Sequence, residues 1–270
     1  MPETEPLIRL SKYILAKLRK PKRASLPKPI QSQIASTSGY KLRTTLYLHP
    51  TSRSFLLLCP DRLESGQTFQ DGGYPIDCTD VFGSGHSFIF FAPAGRGGSW
   101  GLEDYGGLEH QDNVACMLNY IHAEYAPSQV LILSMGLGLS MALGGIAQAQ
   151  KPPAVLIDIE GPSDREFIKP QLQKTVLKKD HIFWRVREPI ELLCDLPYRY
   201  IRIQCRKDHC FQFDHRHTHR MLRALQKYPK IQFQLNNHPI GTIPPQPDLW
   251  LGDKDYMRKE LTILLSSLAP

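Results

Sequence analysis

No stretch of this 270-residue chain is apolar for long enough to cross a bilayer, which sets aside a helical membrane span and leaves the expectation of a soluble protein. The six cysteines, Cys59, Cys78, Cys116, Cys194, Cys205 and Cys210, form no C-x-x-C pair and no regular framework spacing. No signal peptide precedes them, so reduced thiols in a cytoplasmic protein are expected. Acidic residues are scarce at one end: residues 1–50 hold ten Lys and Arg against Glu3 and Glu5, a local balance of +8 within a chain of net charge +7. The remainder is therefore nearly neutral at −1. The basic character belongs to a tail, and a nucleic-acid-binding body is not expected.

What is present begins with that tail. Leu7, Leu10, Ile14, Leu15 and Leu18 recur at helical spacing with lysines and arginines between them, and Pro21 ends the pattern. Residues 6–20 thus read as a basic amphipathic helix that docks on its own domain, on an anionic membrane surface or on a protein partner. Residues 21–39, rich in Pro, Ser, Lys and Gln, read as a linker, so that 1–39 is an extension and 40–270 the folded domain. Within that domain, 42–48 and 55–59 read as two neighbouring strands, and 87–91 as a third. Apolar residues at helical spacing mark 108–125. Irregular residues 165–198 suggest a small cap. Strand 199–204, helix 215–228, strand 231–235 and helix 255–268 follow.

The centre of the chain is QVLILSMGLGLSMALGGIAQAQKPPAVLIDIEGPSD, from Gln129 to Asp164. Val130–Leu133 is an apolar run of strand length, Ser134 to Gly138 a glycine-bearing turn, Leu139–Gln150 a helix of small apolar residues stopped by Pro152 and Pro153, and Ala154–Ile159 a second apolar strand. This is a right-handed βαβ crossover. The alternation across the body indicates a doubly wound, mostly parallel α/β sheet.

Four places in 42–268 together resemble the α/β-hydrolase fold, loosely its dienelactone-hydrolase and prolyl-oligopeptidase branch. They are Phe88 to Gly101, with its Arg96-Gly97-Gly98-Ser99 run; the turn at Val130–Ala142; Ile203 to Asp208; and Leu235 to Gly241, which carries His238. The resemblance implies an α/β-hydrolase-type sheet with a basic N-terminal helical extension. It also implies hydrolysis of an ester, thioester or amide small-molecule substrate, with no cofactor and no metal. In that scheme Ser134 is the nucleophile, His238 the base and Asp208 the acid. The N–H groups of Met135 and of the loop after β-strand residues Cys59 and Pro60 hold the oxyanion.

The nucleophile elbow departs from G-x-S-x-G. In one register Gly136 occupies the serine's place, Ser134 the first glycine's and Gly138 the last, and the chain is a catalytically lapsed hydrolase that binds a ligand or partner. In the slipped register Ser134 is the nucleophile, and bulky Ile132 stands where the elbow wants a glycine. Alone, each candidate also has an ordinary reading: Ser134 and His238 as turn residues, Asp208 as a helix cap.

Two further chemistries have partial motifs in this sequence. Gly136-Leu137-Gly138 could open a dinucleotide loop with Asp158 or Glu160 on a ribose, although Met141 stands where the third glycine belongs. Asp208, His209, Cys210, Asp214, His215, His217 and His219 form a rich run, but their spacing reads as a solvated or pH-sensitive surface. Only His215 and His219 share a helix face that could bind adventitious zinc or nickel.

Overall fold

The computed structural model describes residues 26–61, 78–172, 181–207, 214–245 and 254–270. The predicted helix 6–20, Asp208, His209 and Cys210 lie outside them. Among the described residues eight strands form one sheet in the order β1-β2-β4-β3-β5-β6-β7-β8. They are β1 (Ile30–Ala35), β2 (Lys41–Tyr47), β3 (Ser54–Cys59), β4 (Ser87–Phe91), β5 (Gln129–Met135), β6 (Val155–Ile159), β7 (Tyr198–Ile203) and β8 (Ile231–Leu235). The β1–β2 and β2–β4 pairs are antiparallel, and every other pair is parallel.

Strand alternation sends neighbouring apolar side chains to opposite faces. Leu57, Ile132 and Tyr200 join a core with helices α2 (Leu108–Tyr125), α3 (Gly138–Gln148) and α7 (Arg216–Leu225). Leu56, Leu58, Leu131, Leu133 and Ile157 pack on the other side with α1 (Cys78–Gly83) and α8 (Lys254–Leu268). Helices therefore cover both faces, as a doubly wound sheet requires. The described residues of 165–198 include three short helices, α4 (Arg165–Leu172), α5 (His181–Arg185) and α6 (Pro189–Leu192).

Three expectations are corrected. Residues 30–35, read as linker, form the edge strand β1: Ile30 pairs with Leu46 and Ile34 with Leu42, and the polar residues between them suit an edge that keeps one side in solvent. The strands at 42–48 and 55–59 are not neighbours, because β4 lies between β2 and β3. Finally, β5 runs two residues beyond Leu133, pairing Ser134 with Asp158 and Met135 with Ile159. A buried serine can stay in a strand when its hydroxyl has an acceptor, and Ser134 Oγ donates to the Ile157 carbonyl at 3.4 Å.

Candidate active site

The end of β5 sets the register of the turn. Gly136 follows the strand with φ +51°, and its N–H donates to the Ile159 carbonyl of β6 at 3.1 Å. Such a backbone favours glycine. Helix α3 starts at Gly138, and the N–H groups of Leu139 and Ser140 donate to the carbonyls of Gly136 and Leu137, each at 3.2 Å. Gly136 is therefore the apex of the strand-to-helix bend, and Ser134 lies two residues back, fully buried. Gly138 admits a close approach: a Cβ there would lie within 3.0 Å of the carbonyl oxygens of Cys59 and Pro60.

A residue absent from the sequence reading fills the apex. Asp61, half-buried just past β3, accepts the Leu137 N–H through Oδ1 at 2.8 Å. A Cβ added to Gly136 would lie within 3.0 Å of the carboxyl carbon and both oxygens of Asp61. The carboxylate thus stands where a side chain at the apex would have to go. It also sits at the start of α3, where the helix dipole and an open N–H favour an anion.

The loop after β4 holds Asp61 from behind. Arg96, 6 % exposed, donates through Nη1 to the Asp61 backbone carbonyl at 3.1 Å. Its Nε and Nη2 form a two-point pair with Glu103, at 2.6 and 2.7 Å, and Glu103 Oε1 also accepts the Tyr105 N–H at 2.7 Å. Burial works to raise the Glu103 carboxyl, but the hydrogen bonds and charge of Arg96 outweigh it and hold it below its ordinary 4.5. Buried His110 accepts the Gly106 N–H at Nδ1, at 3.1 Å, and its Nε2 lies 2.9 Å from the Ala94 carbonyl oxygen and 3.3 Å from the Asp104 backbone nitrogen. Burial, followed by the charge of Arg96, lowers its pKa against the opposing pull of Glu103.

A carboxyl with a lowered folded pKa stabilises the fold above its unfolded pKa and loses that contribution as pH falls through the folded value. The stability difference between wild type and Glu103→Gln, read from urea midpoints, should therefore be full above pH 4.5 and shrink progressively below it.

The other expected site residues fall as follows. Met135 ends β5, and with the apex at Gly136 the N–H that follows it belongs to Leu137 rather than Met135. Pro60 has no N–H to give, and Cys59 is a buried β3 residue paired with Ser134, its thiol pushed far up by burial. Among the described residues at this turn, the N–H with a carboxylate on it is that of Leu137. His238 lies in the turn after β8, half-buried, with its N–H on the Leu235 carbonyl at 2.9 Å. It shares the C-terminal edge of the parallel strands with Gly136, separated by β6 and β7.

The cap segment reaches the same edge. Ile168, Leu172 and Trp184 form a cluster with Leu137.

Neither carboxylate proposed for a ribose is available. Asp158, fully buried, is ion-paired with Arg202 and hydrogen-bonded by the Tyr200 hydroxyl and the Gly161 N–H. Glu160, also buried, accepts the Cys205 N–H at 2.9 Å. With Leu137 already on Asp61, the dinucleotide reading fails. His217 is fully buried against Arg202 rather than on a solvated face, since Arg202 Nη2 meets its Nδ1 at 2.8 Å. Among the described residues no group of three His, Cys, Asp or Glu is placed to hold a metal, and no helix is long and apolar enough to cross a membrane.

The sequence matches no family model and no curated protein. Solved structures do match. An esterase of Pyrococcus furiosus superposes with TM-score 0.64 at 9% identity, over 89% of this chain and 90% of that one. A lidless α/β serine hydrolase of Xanthomonas campestris superposes with TM-score 0.54 at 16% identity, over 90% and 94%. The acylaminoacyl peptidase of Pyrococcus horikoshii gives 0.61 at 12% identity, over 94% of this chain and 42% of the peptidase. Identities this low speak for architecture alone. With the sheet order, the two covered faces and the glycine apex between β5 and α3, they establish that this chain has the α/β-hydrolase fold.

Proposed function

We propose that this protein works on a small molecule at the C-terminal edge of the sheet, beside Gly136, without forming a serine acyl-enzyme. The observation that carries this reading is the apex itself. On this reading Gly136 stands for the nucleophile; in support, the Asp61 carboxylate fills the space beside it and accepts the Leu137 N–H. An acyl-enzyme needs a hydroxyl that can reach both a substrate carbon and a base. Ser134 is buried and gives its hydroxyl to Ile157.

The competing reading is hydrolysis of an ester, thioester or amide through Ser134, His238 and Asp208. It draws support from the esterases and serine hydrolases that share the fold. The basic stretch 6–20 would add docking to an anionic surface or a partner, a role supported by its charge and apolar spacing.

Turnover of p-nitrophenyl acetate separates the two readings. The full chain should hydrolyse it no faster than its Ser134→Ala variant, with no burst of p-nitrophenol in either. A burst in wild type that Ser134→Ala abolishes would overturn the proposal in favour of the serine route.

A further inference from the structure

We infer that the edge strand β1 is the interface of a symmetric homodimer, in which two copies pair β1 against β1, antiparallel, about a two-fold axis through Gln33. Among the described residues β1 pairs with β2 alone. The Ser36 N–H donates to the Tyr40 carbonyl at 2.9 Å, so by strand alternation Ile34, Ser32 and Ile30 turn their backbone groups toward β2. Gln31, Gln33 and Ala35 turn theirs outward, and all three are exposed. Such a row is a template for another strand, and edges are commonly blunted by a lysine, a proline or a bulge. IQSQIA contains neither residue, and its register with β2 runs unbroken from Ile30 to Ala35. The polar side chains suit the solvated faces of β1 but leave this row of backbone groups unguarded.

Register and charge favour a second copy as the occupant. With Gln33 opposite Gln33, Gln31 falls opposite Ala35, and each such pair can exchange two N–H···O bonds. The ladder then closes at both ends. Pro29 falls opposite Thr37, where proline has no N–H to give and the Thr37 N–H is already on Asp112 Oδ2 at 3.0 Å. One step further, Lys28 falls opposite Ser38, whose hydroxyl donates to Glu109 Oε2 at 2.7 Å. Lys28 is exposed, and its place before Pro29 favours an extended backbone in line with the strand. Glu109 and Asp112 of α2, both half-buried, have no ion pair among the described residues. Each copy thus sets a cation beside the carboxylates of the other, and the two-fold axis repeats the match. At the axis itself the two Gln33 amides can each donate and accept.

Sedimentation velocity of the full chain from about 1 to 100 µM, the range suited to an interface this small, should show a monomer–dimer equilibrium. Gln33→Pro removes an outward N–H that β2 does not use, so it should keep the urea midpoint near that of wild type and weaken association about tenfold or more. Lys28→Glu, placed beside Glu109 and Asp112, should weaken it as well, and added salt should narrow the difference. Oxidation reads the register separately. Gln33→Cys should form a disulfide-linked dimer, because its two Cα atoms would lie about 5.5 Å apart, while Gln31→Cys, which faces Ala35, should not. A chain that stays monomeric across the whole range, as when another segment or another protein covers β1, would overturn the proposal. So would a dimer that Gln33→Pro and Lys28→Glu leave intact, or one that crosslinks equally well through Gln31→Cys.

Discussion

Replacing Arg202 by leucine is expected to cost about 3–5 kcal/mol of stability, the range for removing one partner of a buried ion pair. Arg202 and Asp158 are both fully buried, on the neighbouring strands β7 and β6. The guanidinium also donates to the Gly161 carbonyl at 2.7 Å and to Gln204 Oε1, Thr218 Oγ1 and His217 Nδ1 at 3.3, 3.1 and 2.8 Å. Leucine would leave a carboxylate charged in the core and several acceptors without their donor. The loss should appear as a large fall in urea midpoint with little change in slope. Combining Arg202→Leu with Asp158→Leu, which removes the stranded charge, should be less destabilising than Arg202→Leu alone. If the single variant is within 1 kcal/mol of wild type by the same measurement, the network does not brace the sheet below the site.

Gly136→Ser, the change that would write a nucleophile into the elbow, should instead destabilise the fold by about 2–4 kcal/mol and produce no esterase. Two costs combine: a non-glycine residue at φ +51°, about 1 kcal/mol, and the overlap of its Cβ with Asp61, of the about 1–3 kcal/mol typical of overpacking. Asp61→Ala in the same chain removes the overlap. The double variant should be more stable than the sum of the two single effects by about 1 kcal/mol or more. Strict additivity would mean that Asp61 does not occupy the apex.

Much of the body was legible because its core elements announce themselves. Helix 108–125 and strand 231–235 fall where their apolar periodicity places them. Strand β1 escaped notice because only Ile30, Ile34 and the small Ala35 are apolar and prolines precede it, a pattern shared by linkers and by polar edge strands. The apex was ambiguous for a specific reason: a serine two residues before a glycine can end a strand or extend it. The deciding fact, the bond from Ser134 to Ile157 on β6, is a long-range contact.

Asp61 was missed because it lies 76 residues from the N–H it holds, and nothing local marks it except its place one residue past the proline that ends β3. Asp158 was visible as a lone acid in VLIDI, and Arg202 as one of two bases, with Arg199, in YRYIRI. An acid and a base in two buried parallel strands were the available signal for a core ion pair, whereas Asp158 on its own reads from the sequence as a ribose contact.

The central claim, that the elbow carries no serine nucleophile, is tested most directly by exposing the folded full chain to a fluorophosphonate and mapping every modified residue by peptide mass spectrometry. The structure predicts no adduct on any serine, at Ser134 least of all, since its hydroxyl is buried within β5. A stoichiometric adduct on Ser134 would contradict the account and place the nucleophile two residues before the glycine apex.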